Sequence, residues 1–321
     1  MHAITAHDGG LRLDEHDDPV AGPGEVLVAV AAAGVNNADL QQVAGNYPPP
    51  PGASDVLGLE VSGTVRALGD GVEGFAVGDR VCALLSGGGY AELVAVPATQ
   101  VLPVPDGVDL VEAAALPEAA CTVWSNLGMI AGLRAGQTLL VHGGTGGMGS
   151  HAVLLAKAMG VRVVATSGGE RKVRASQELG ADLVVDHRSE DFVERTLAFT
   201  EGRGVDVVLD VVGADYLAKN LAVLAPNGHV AVIAAGSGAT GELDFGAMMR
   251  KRATISATTL RARPADEKAA IVAAVREHVW PLVADGSVRP VVDSTVPLAE
   301  AAEAHRRIRD GEVVGKVLLT I

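Results

Sequence analysis

The sequence predicts an α/β protein built from a barrel-like β domain and a doubly wound parallel sheet. Two observations support this prediction. Short apolar runs interrupted by Gly and Pro fill the first third of the chain, and strand and helix patterns alternate strictly from about residue 136. With 321 residues, the chain is long enough to form two domains, each with its own core.

The β domain is predicted from apolar runs of strand length. These runs are EVLVAVAAAGV, VSGTVRALG, DRVCALL and YAELVAVP, and turn-rich stretches such as NYPPPPGASD and SGGG lie between them. Segments of this length bounded by Gly, Pro and Asn are typical of short strands in a barrel.

The parallel sheet is predicted from the middle of the chain. The strands are QTLLVHGG, VRVVATS, DLVVD, VDVVLDVVG and HVAVIAAG. The helical segments between them are GSHAVLLAKAMG, ERKVRASQELG, SEDFVERTLAFTEG and YLAKNLAVLAPNG. Such alternation indicates parallel strands joined by right-handed crossovers, which is a doubly wound sheet.

The alternation ends near residue 257. A helix over 265–284, the segment VRPVVD, a second helix in LAEAAEAHRRIRDG and a closing strand GKVLLTI follow. This tail has too few strands for a domain of its own, so we expect it to pack onto the β domain.

Composition narrows the range of partners. The net charge of −14 argues against nucleic acid, because a polyanion binds a basic face. Every apolar run is shorter than the roughly 18 residues that span a bilayer, and the acidic N-terminal segment lacks the features of a signal peptide. The two cysteines, Cys82 and Cys121, fit a reducing compartment. We expect a cytoplasmic protein without nucleic-acid or membrane partners.

The segment LLVHGGTGGMGS places a glycine cluster between a buried strand and a helix. Glycines let the backbone approach a pyrophosphate, and the N-terminus of the helix supplies N–H groups and a partial positive charge. A tight turn without a ligand is the alternative, but the loop opens a βαβ unit and lacks the Gly-Lys-Ser/Thr ending of nucleotide hydrolases. The predicted dinucleotide contacts are Gly144, Thr145, Gly146, Gly147, Met148 and Gly149.

The end of the second strand distinguishes between the two nicotinamide coenzymes. NAD-binding folds place an acid there for the ribose hydroxyl, whereas this strand continues as SGGERK. Ser167 and two glycines leave room for a 2′-phosphate, and Arg171 and Lys172 neutralise it. The alternative is that both bases only decorate the start of a helix. The sequence therefore predicts NADPH as the cofactor.

These motifs, together with others along nearly the whole chain, resemble the medium-chain dehydrogenase/reductase superfamily. The other matching segments are GPGEVLVAVAAAGVNNADL, LGLEVSGTV, GDRVCALL, GGGYAELVAVP, AAALPEAACTVWSNL and AEAHRRIRDGEVVGKVLLTI. Within the superfamily, YPPPPGASDVLGLEVSG and LPEAACTVWSNL are similar to the zinc-free quinone oxidoreductases, the zeta-crystallin-like and tumour-suppressor-inducible group. The resemblance implies a GroES-like catalytic domain over 1–118 and 258–321, a Rossmann domain over 119–257, an active site in a cleft and a homodimer.

The resemblance also bears on metal binding. Zinc-dependent members hold the metal with Cys, His and Cys, and the corresponding positions here carry Asn36, Leu59 and Glu118. Glu60 alone cannot hold zinc, and both cysteines fall outside these positions. We expect no metal site, and hence hydride transfer to an acceptor that is already electrophilic rather than alcohol oxidation.

Three residues are predicted at the reaction site. Asn36 is expected to hydrogen-bond the nicotinamide ribose or the acceptor, and the less favoured alternative is that it stabilises a local turn. Tyr47 would orient an acceptor oxygen or supply a proton, or it would serve as a packing aromatic. Thr122 matches a family position beside the nicotinamide.

Further coenzyme contacts follow from the resemblance and from the ends of the later strands. They are His187, Gly213, Gly236 and Lys316, with Thr259 and Arg261 as weaker candidates. His142 and His305 are expected to be structural, because the first lies in a buried strand and the second on an amphipathic helix.

Three functions remain open on the sequence alone. The first is NADPH-dependent reduction of a quinone, held near Asn36, Tyr47 and Thr122. The second is reduction of an activated carbon–carbon double bond in an enal, enone or enoyl thioester. The third is an NADPH-binding sensor or structural protein with little turnover.

Overall fold

A computed structural model describes residues 1–7 and 9–321, which form two compact units. The first, called the β unit here, comprises Met1–Cys121, Leu260–Gly286 and Pro290–Ile321. The second, called the α/β unit, comprises Thr122–Thr259 and Ser287–Arg289. The two-part α/β fold predicted from the sequence is confirmed.

Strands and helices are labelled in chain order. The strands are β1 (His2–His7), β2 (Gly10–Glu15), β3 (Glu25–Gly34), β4 (Glu60–Leu68), β5 (Arg80–Leu84), β6 (Leu93–Pro97), β7 (Val101–Pro103), β8 (Thr138–His142), β9 (Arg162–Ser167), β10 (Leu183–Asp186), β11 (Val205–Asp210), β12 (Leu224–Val232), β13 (Thr254–Ala257), β14 (Val292–Pro297) and β15 (Lys316–Thr320). The α-helices are α1 (Asn37–Val43), α2 (Pro117–Trp124), α3 (Gly147–Ala158), α4 (Glu170–Glu178), α5 (Phe192–Phe199), α6 (Leu217–Val223), α7 (Phe245–Lys251), α8 (Ala265–His278), α9 (Trp280–Ala284) and α10 (Ala301–Arg309).

The β unit is organised around a seven-stranded sheet in the order β14-β15-β3-β4-β5-β7, with β6 also paired to β3. Inward and outward residues alternate along the first part of β3, as expected for a strand with one buried face. The C-terminal strand β15 pairs antiparallel with β3, where Leu318 faces Gly34, and β14 runs parallel to β15. The tail of the chain therefore completes the sheet of this unit.

The α/β unit contains a six-stranded sheet of parallel strands in the order β10-β9-β8-β11-β12-β13. The buried strands β8 and β9 are covered by helices, which explains why they read as continuous apolar runs. The strand order reverses direction between β8 and β11, and open parallel sheets bind ligands at the carboxyl ends of strands next to such a reversal. The glycine loop follows β8 at this position.

The boundaries of two elements differ from those predicted. The helix expected over 265–284 is two helices, α8 and α9, because Pro281 in the first turn of α9 cannot donate the backbone hydrogen bond of a continuous helix. The strand expected at HVAVIAAG begins earlier, at Leu224, which pairs with Val205 ahead of a register shift. Among the described residues, no helix combines the length and hydrophobicity needed to cross a membrane.

Candidate functional site

The glycine loop of the α/β unit forms the tight strand-to-helix turn that the sequence predicts. Gly143 has a φ of 68°, a left-handed conformation that favours glycine, and Gly146 is the residue before the first turn of α3. A side chain at Gly149 would place its Cβ 2.0 Å from the carbonyl oxygen of Gly143. The loop can therefore close only with glycine at that position.

This loop has the features of an anion site. The N–H groups of Gly147, Met148 and Gly149 belong to the first turn of a helix, where no intrahelical acceptor is available. Together with the helix dipole they suit a pyrophosphate. Thr145 is only 2% exposed, and Gly144 donates its N–H to the Thr166 carbonyl, 2.9 Å away. Gly144 therefore supports the turn, and the predicted contacts of both residues with a coenzyme remain predictions.

A group of bases lies at the ends of β9 and β10. A Cβ at Gly168 would lie 2.9 Å from His187 Nε2 and 3.0 Å from Arg188 Nε, so these two side chains pass directly over the glycine. Arg171 and Lys172 lie in the first turn of α4, which follows the same glycines. The structure thus brings the predicted phosphate-binding bases to one edge of the sheet.

Ser167 and Asp186 complete this edge. Ser167 is buried, and its hydroxyl shares a hydrogen bond of 2.7 Å with that of Ser176. Asp186, at the end of β10, accepts hydrogen bonds from the N–H groups of Arg188 and Gly169, which lower the pKa of its carboxyl group. The sequence pattern does not point to Asp186, because the acid of NAD-binding folds stands at the end of the second strand, here β9, whereas Asp186 ends the neighbouring strand β10.

A second buried network supports the turn after β11. Asp210 accepts hydrogen bonds from the N–H groups of Val212 and Gly213, and its other oxygen accepts one from the Asn220 amide. Asn220 also pairs with His142, 2.8 Å away, and burial lowers the pKa of His142 to about 4. His142 is thus a structural residue, as predicted.

Gly213 and Gly236 differ in how strictly the surrounding backbone requires glycine. Gly213 has a φ of 93°, and a Cβ there would lie 2.8 Å from the backbone of Ala235. At Gly236 the nearest atom to such a Cβ, the Val211 carbonyl oxygen, is 3.4 Å away, which is an ordinary contact. The fold of the α/β unit therefore requires glycine at the first position only.

In the β unit, the side chains of Asn36, Glu60 and Lys316 form one buried cluster. Asn36 donates its side-chain N–H to Glu60 Oε1, 2.9 Å away, and accepts a hydrogen bond of 2.5 Å from Lys316 Nζ. Lys316 also forms an ion pair with Glu60, and both side chains are almost completely buried. Glu60 Oε2 accepts the N–H of Glu118, 2.9 Å away.

This cluster engages the side chains of both Lys316 and Asn36 within the β unit. The Lys316 ammonium group has partners there, and its predicted contact with the coenzyme stays a prediction. The Asn36 side chain is likewise engaged on both its oxygen and its nitrogen, so its predicted contact with ribose or acceptor stays a prediction. Gly34 makes the cluster possible, since a Cβ there would lie 2.3 Å from Glu60 Oε1.

The position of Asn36 is fixed by a second buried group. Its backbone N–H donates to Asp39 Oδ2, 2.8 Å away, and Tyr90 donates its hydroxyl to the same oxygen. Burial raises the pKa of Asp39 to about 6. His305 contacts the Tyr90 hydroxyl at 3.2 Å, and burial lowers the pKa of His305 to about 4, which agrees with a structural role. The three-residue spacing of Asn36 and Asp39, typical of a capping box, was the available signal.

Tyr47 lies beside Arg261. The Arg261 guanidinium is 5.5 Å from the centre of the Tyr47 ring, and its Nη1 donates to the Tyr47 carbonyl oxygen, 3.3 Å away. Burial and the nearby Glu118 carboxylate raise the pKa of Tyr47. Its phenol therefore stays protonated at neutral pH and can donate a hydrogen bond or a proton.

Thr122 lies near the end of α2, in the α/β unit as the units are divided. The helix continues as a π-helical turn over Ser125–Ile130, and such turns occur often at functional sites. The Thr122 carbonyl oxygen accepts hydrogen bonds from the side chains of Ser125 and Asn126, and Asn126 accepts one from Thr258.

Over residues 1–7 and 9–321, no group of three or more His, Cys, Asp or Glu side chains is arranged to hold a metal ion. Cys82 and Cys121 are buried, and burial raises the pKa of both thiols.

Two family comparisons match different parts of the chain. Residues 22–106 match the alcohol dehydrogenase GroES-like domain, and residues 179–319 match a family described as zinc-binding dehydrogenase.

Comparisons with individual proteins extend over nearly the whole chain. A quinone oxidoreductase of Pseudomonas aeruginosa is 33% identical over 98% of this chain and 98% of its own length. The structure of an Escherichia coli quinone oxidoreductase complexed with NADPH is 28% identical, covers 100% of both chains and has a TM-score of 0.89. A mycocerosic acid synthase-like polyketide synthase of Mycobacterium tuberculosis is 35% identical over 97% of this chain, which spans only 15% of that much longer protein.

Proposed function

We propose that this chain, which belongs to the quinone oxidoreductases of the medium-chain dehydrogenase/reductase superfamily, reduces a quinone with NADPH as the reductant. The observation that carries the proposal is the 33% identity with a quinone oxidoreductase over 98% of both chains. The oxidoreductase class and the coenzyme are also supported by the similarity to a quinone oxidoreductase solved with NADPH.

The residues of the α/β unit fit this coenzyme. The N–H groups at the start of α3 would hold its pyrophosphate, and Gly149 allows the close approach. Arg171, Lys172 and His187, grouped at the ends of β9 and β10, would hold the 2′-phosphate. When bound, NADPH supplies a hydride to the acceptor.

The residues of the β unit would position the acceptor. Lys316 neutralises Glu60, and the two together hold the Asn36 amide in one orientation. Tyr47 keeps its proton at neutral pH because burial raises its pKa, so it would donate a hydrogen bond to a quinone oxygen. Both roles rest on positioning, which lowers the barrier without any covalent step on the protein.

A second acceptor class is favoured by one specific observation. The identity of 35% with a segment of a polyketide synthase covers 97% of this chain. Polyketides are acyl-derived products, and an enoyl thioester is an acyl chain with an activated double bond. Reduction of such a bond in an enal, enone or enoyl thioester is therefore the alternative, with Tyr47 as the proton donor.

The test is NADPH oxidation by the purified protein against quinones, enals, enones and enoyl thioesters. Turnover with quinones supports the proposal, and turnover confined to the conjugated alkenes supports the alternative. Tight NADPH binding without oxidation across the panel would contradict both and favour the sensor hypothesis.

A Tyr47→Phe variant separates the two acceptor classes. If Tyr47 only orients a quinone, the loss of turnover with quinones is modest. A large loss with enones and little loss with quinones would instead identify Tyr47 as a proton donor to carbon. The reverse pattern would exclude the alkene alternative.

We also propose that the protein is a cytoplasmic homodimer. β13 is one of the two edge strands of the six-stranded sheet, and such an edge can pair with a second copy. Phe245 and Met249 on α7 are 69% and 72% exposed, which adds an apolar surface in the same unit. A dimer mass in light scattering supports the proposal, and a monomer at working concentration contradicts it.

A further inference from the structure

The β unit contains a cavity of about 600 Å³. Its walls come from the proline-rich segment after Tyr47, from β6 and from the segment that leads into α8. Pro50, Pro51, Val94 and Val96 supply apolar surface, and the basic side chains that line the cavity are Arg261, Arg263 and Lys268. A cavity of this size and mixed lining is typical of sites for small organic ligands.

Arg261 is a buried cation with incomplete hydrogen bonding. It is 3% exposed, and its Nε donates to the Ser86 carbonyl oxygen, 2.7 Å away, while Nη1 donates to that of Tyr47. Its Nη2 is buried and has no hydrogen-bond partner among residues 1–7 and 9–321. A guanidinium nitrogen in this state is costly, since a buried charged donor needs a partner.

Lys268 adds a second cation to the same wall. It is 5% exposed, and its Nζ donates to the Arg261 carbonyl oxygen, 3.1 Å away, and to the Ser86 hydroxyl. Uncharged carbonyl and hydroxyl oxygens therefore accept the hydrogen bonds that Arg261 and Lys268 donate. The Asp39 and Glu118 carboxylates act on Arg261, and the Glu118 carboxylate acts on Lys268, only through longer-range electrostatics. A ligand with an oxyanion would supply the missing counter-charge at short range.

We propose that this cavity binds a small organic oxyanion, a phosphate ester or a carboxylate with an apolar body, through Arg261 Nη2 and Lys268. The oxyanion would pair with the two cations, and the apolar body would lie against Pro50, Pro51 and the valines of β6. Both phosphate and carboxylate match the guanidinium geometry, and the experiment separates them.

The experiment is calorimetric titration of the purified protein with octyl phosphate, octanoate and the uncharged control octanol, without NADPH. The expected result is that at least one of the two anions binds about tenfold or more tightly than octanol, because a charge-assisted hydrogen bond contributes about that factor. Tighter binding of octyl phosphate identifies the phosphate ester as the ligand class, and tighter binding of octanoate identifies the carboxylate. Because NADPH is absent, a failure here is distinct from a failure of the proposed reaction.

Three variants test whether the anions bind in this cavity and through Lys268. Lys268→Met should reduce anion binding to the level of octanol, and Ala53→Phe, which fills the cavity without changing a charge, should weaken all three ligands. Arg263→Gln is the matched control, because it removes another positive charge lining the same cavity. The proposal is overturned if both anions bind no tighter than octanol, if Ala53→Phe has no effect, or if Arg263→Gln weakens binding as much as Lys268→Met.

Discussion

Two lysines of the β unit, Lys316 and Lys268, are almost equally buried, at 4% and 5% exposure, yet they have different partners. Lys316 forms an ion pair with the buried Glu60 and a hydrogen bond with Asn36. Lys268 donates only to a hydroxyl and a carbonyl oxygen. A buried cation with its carboxylate belongs to the structure, whereas one beside a cavity and without a carboxylate is suited to a ligand.

The largest change in the free energy of unfolding is expected on substitution of Lys316, the lysine that is paired with Glu60. A Lys316→Met variant leaves the Glu60 carboxylate buried without its cation, which should lower the free energy of unfolding by about 3–5 kcal/mol. Urea denaturation measures this change. Lys157→Met is the control, because it removes a partly exposed pair with Asp182 and should cost at most about 1 kcal/mol.

A Lys316→Met, Glu60→Gln double variant should recover part of the lost stability, because the unpaired charge is removed. If the single variant is as stable as Lys157→Met, the ion pair does not hold the β unit together and the contrast between the two lysines fails.

In the α/β unit, His142 belongs to a buried hydrogen-bond network with Asn220 and Asp210, so its role, like that of Lys316, is structural. Burial lowers its pKa to about 4 from the usual 6.5, so the folded protein binds fewer protons than the unfolded chain between these pH values. Its contribution to stability is therefore complete above pH 6.5 and is lost as the pH falls towards 4, by about 3 kcal/mol in all. Urea denaturation of wild type and His142→Gln at several pH values measures the difference. A difference independent of pH in this window would contradict the assignment.

Substitution of the two bases at the start of α4, Arg171 and Lys172, should weaken coenzyme binding and leave the free energy of unfolding unchanged. In an Arg171→Ala, Lys172→Ala variant, NADPH should bind about 10- to 100-fold more weakly at fixed salt, because the two proposed contacts with the 2′-phosphate would be lost. NADH lacks this phosphate and should bind as before. Fluorescence titration with both coenzymes provides the test, and an equal loss for the two would show that the bases do not read the phosphate.

The smallest change in the free energy of unfolding is expected on substitution of Lys268, which has no carboxylate partner at hydrogen-bond distance. Lys268→Met removes a buried charge, so the free energy of unfolding should change by less than about 1 kcal/mol, although two hydrogen bonds are lost. A loss as large as that of Lys316→Met would mean that Lys268 is structural, and the contrast would be broken.

The sequence was most informative where function depends on local spacing. The glycine loop, its helix and the bases after β9 lie close together in the chain, so the pattern alone predicted their arrangement. Helix and strand ends were less predictable, since Pro281 divides one predicted helix and Leu224 joins β12 through pairing with β11.

The buried clusters could not be predicted, because their members are distant in sequence. Lys316 meets Glu60 across 256 positions, and Arg261 meets Ser86 across 175. Only the pairing of β15 with β3 brings Lys316 to Asn36, and no local pattern reveals that neighbour. For the same reason Lys268 was not recognised as a candidate.

The central claim, NADPH-dependent reduction of a quinone, is tested most directly by steady-state oxidation of NADPH and NADH with the same quinone. The account predicts turnover with the quinone and a higher kcat/KM with NADPH, which falls to the NADH value in the Arg171→Ala, Lys172→Ala variant. Equal kcat/KM for the two coenzymes, or no quinone-dependent oxidation, would contradict it.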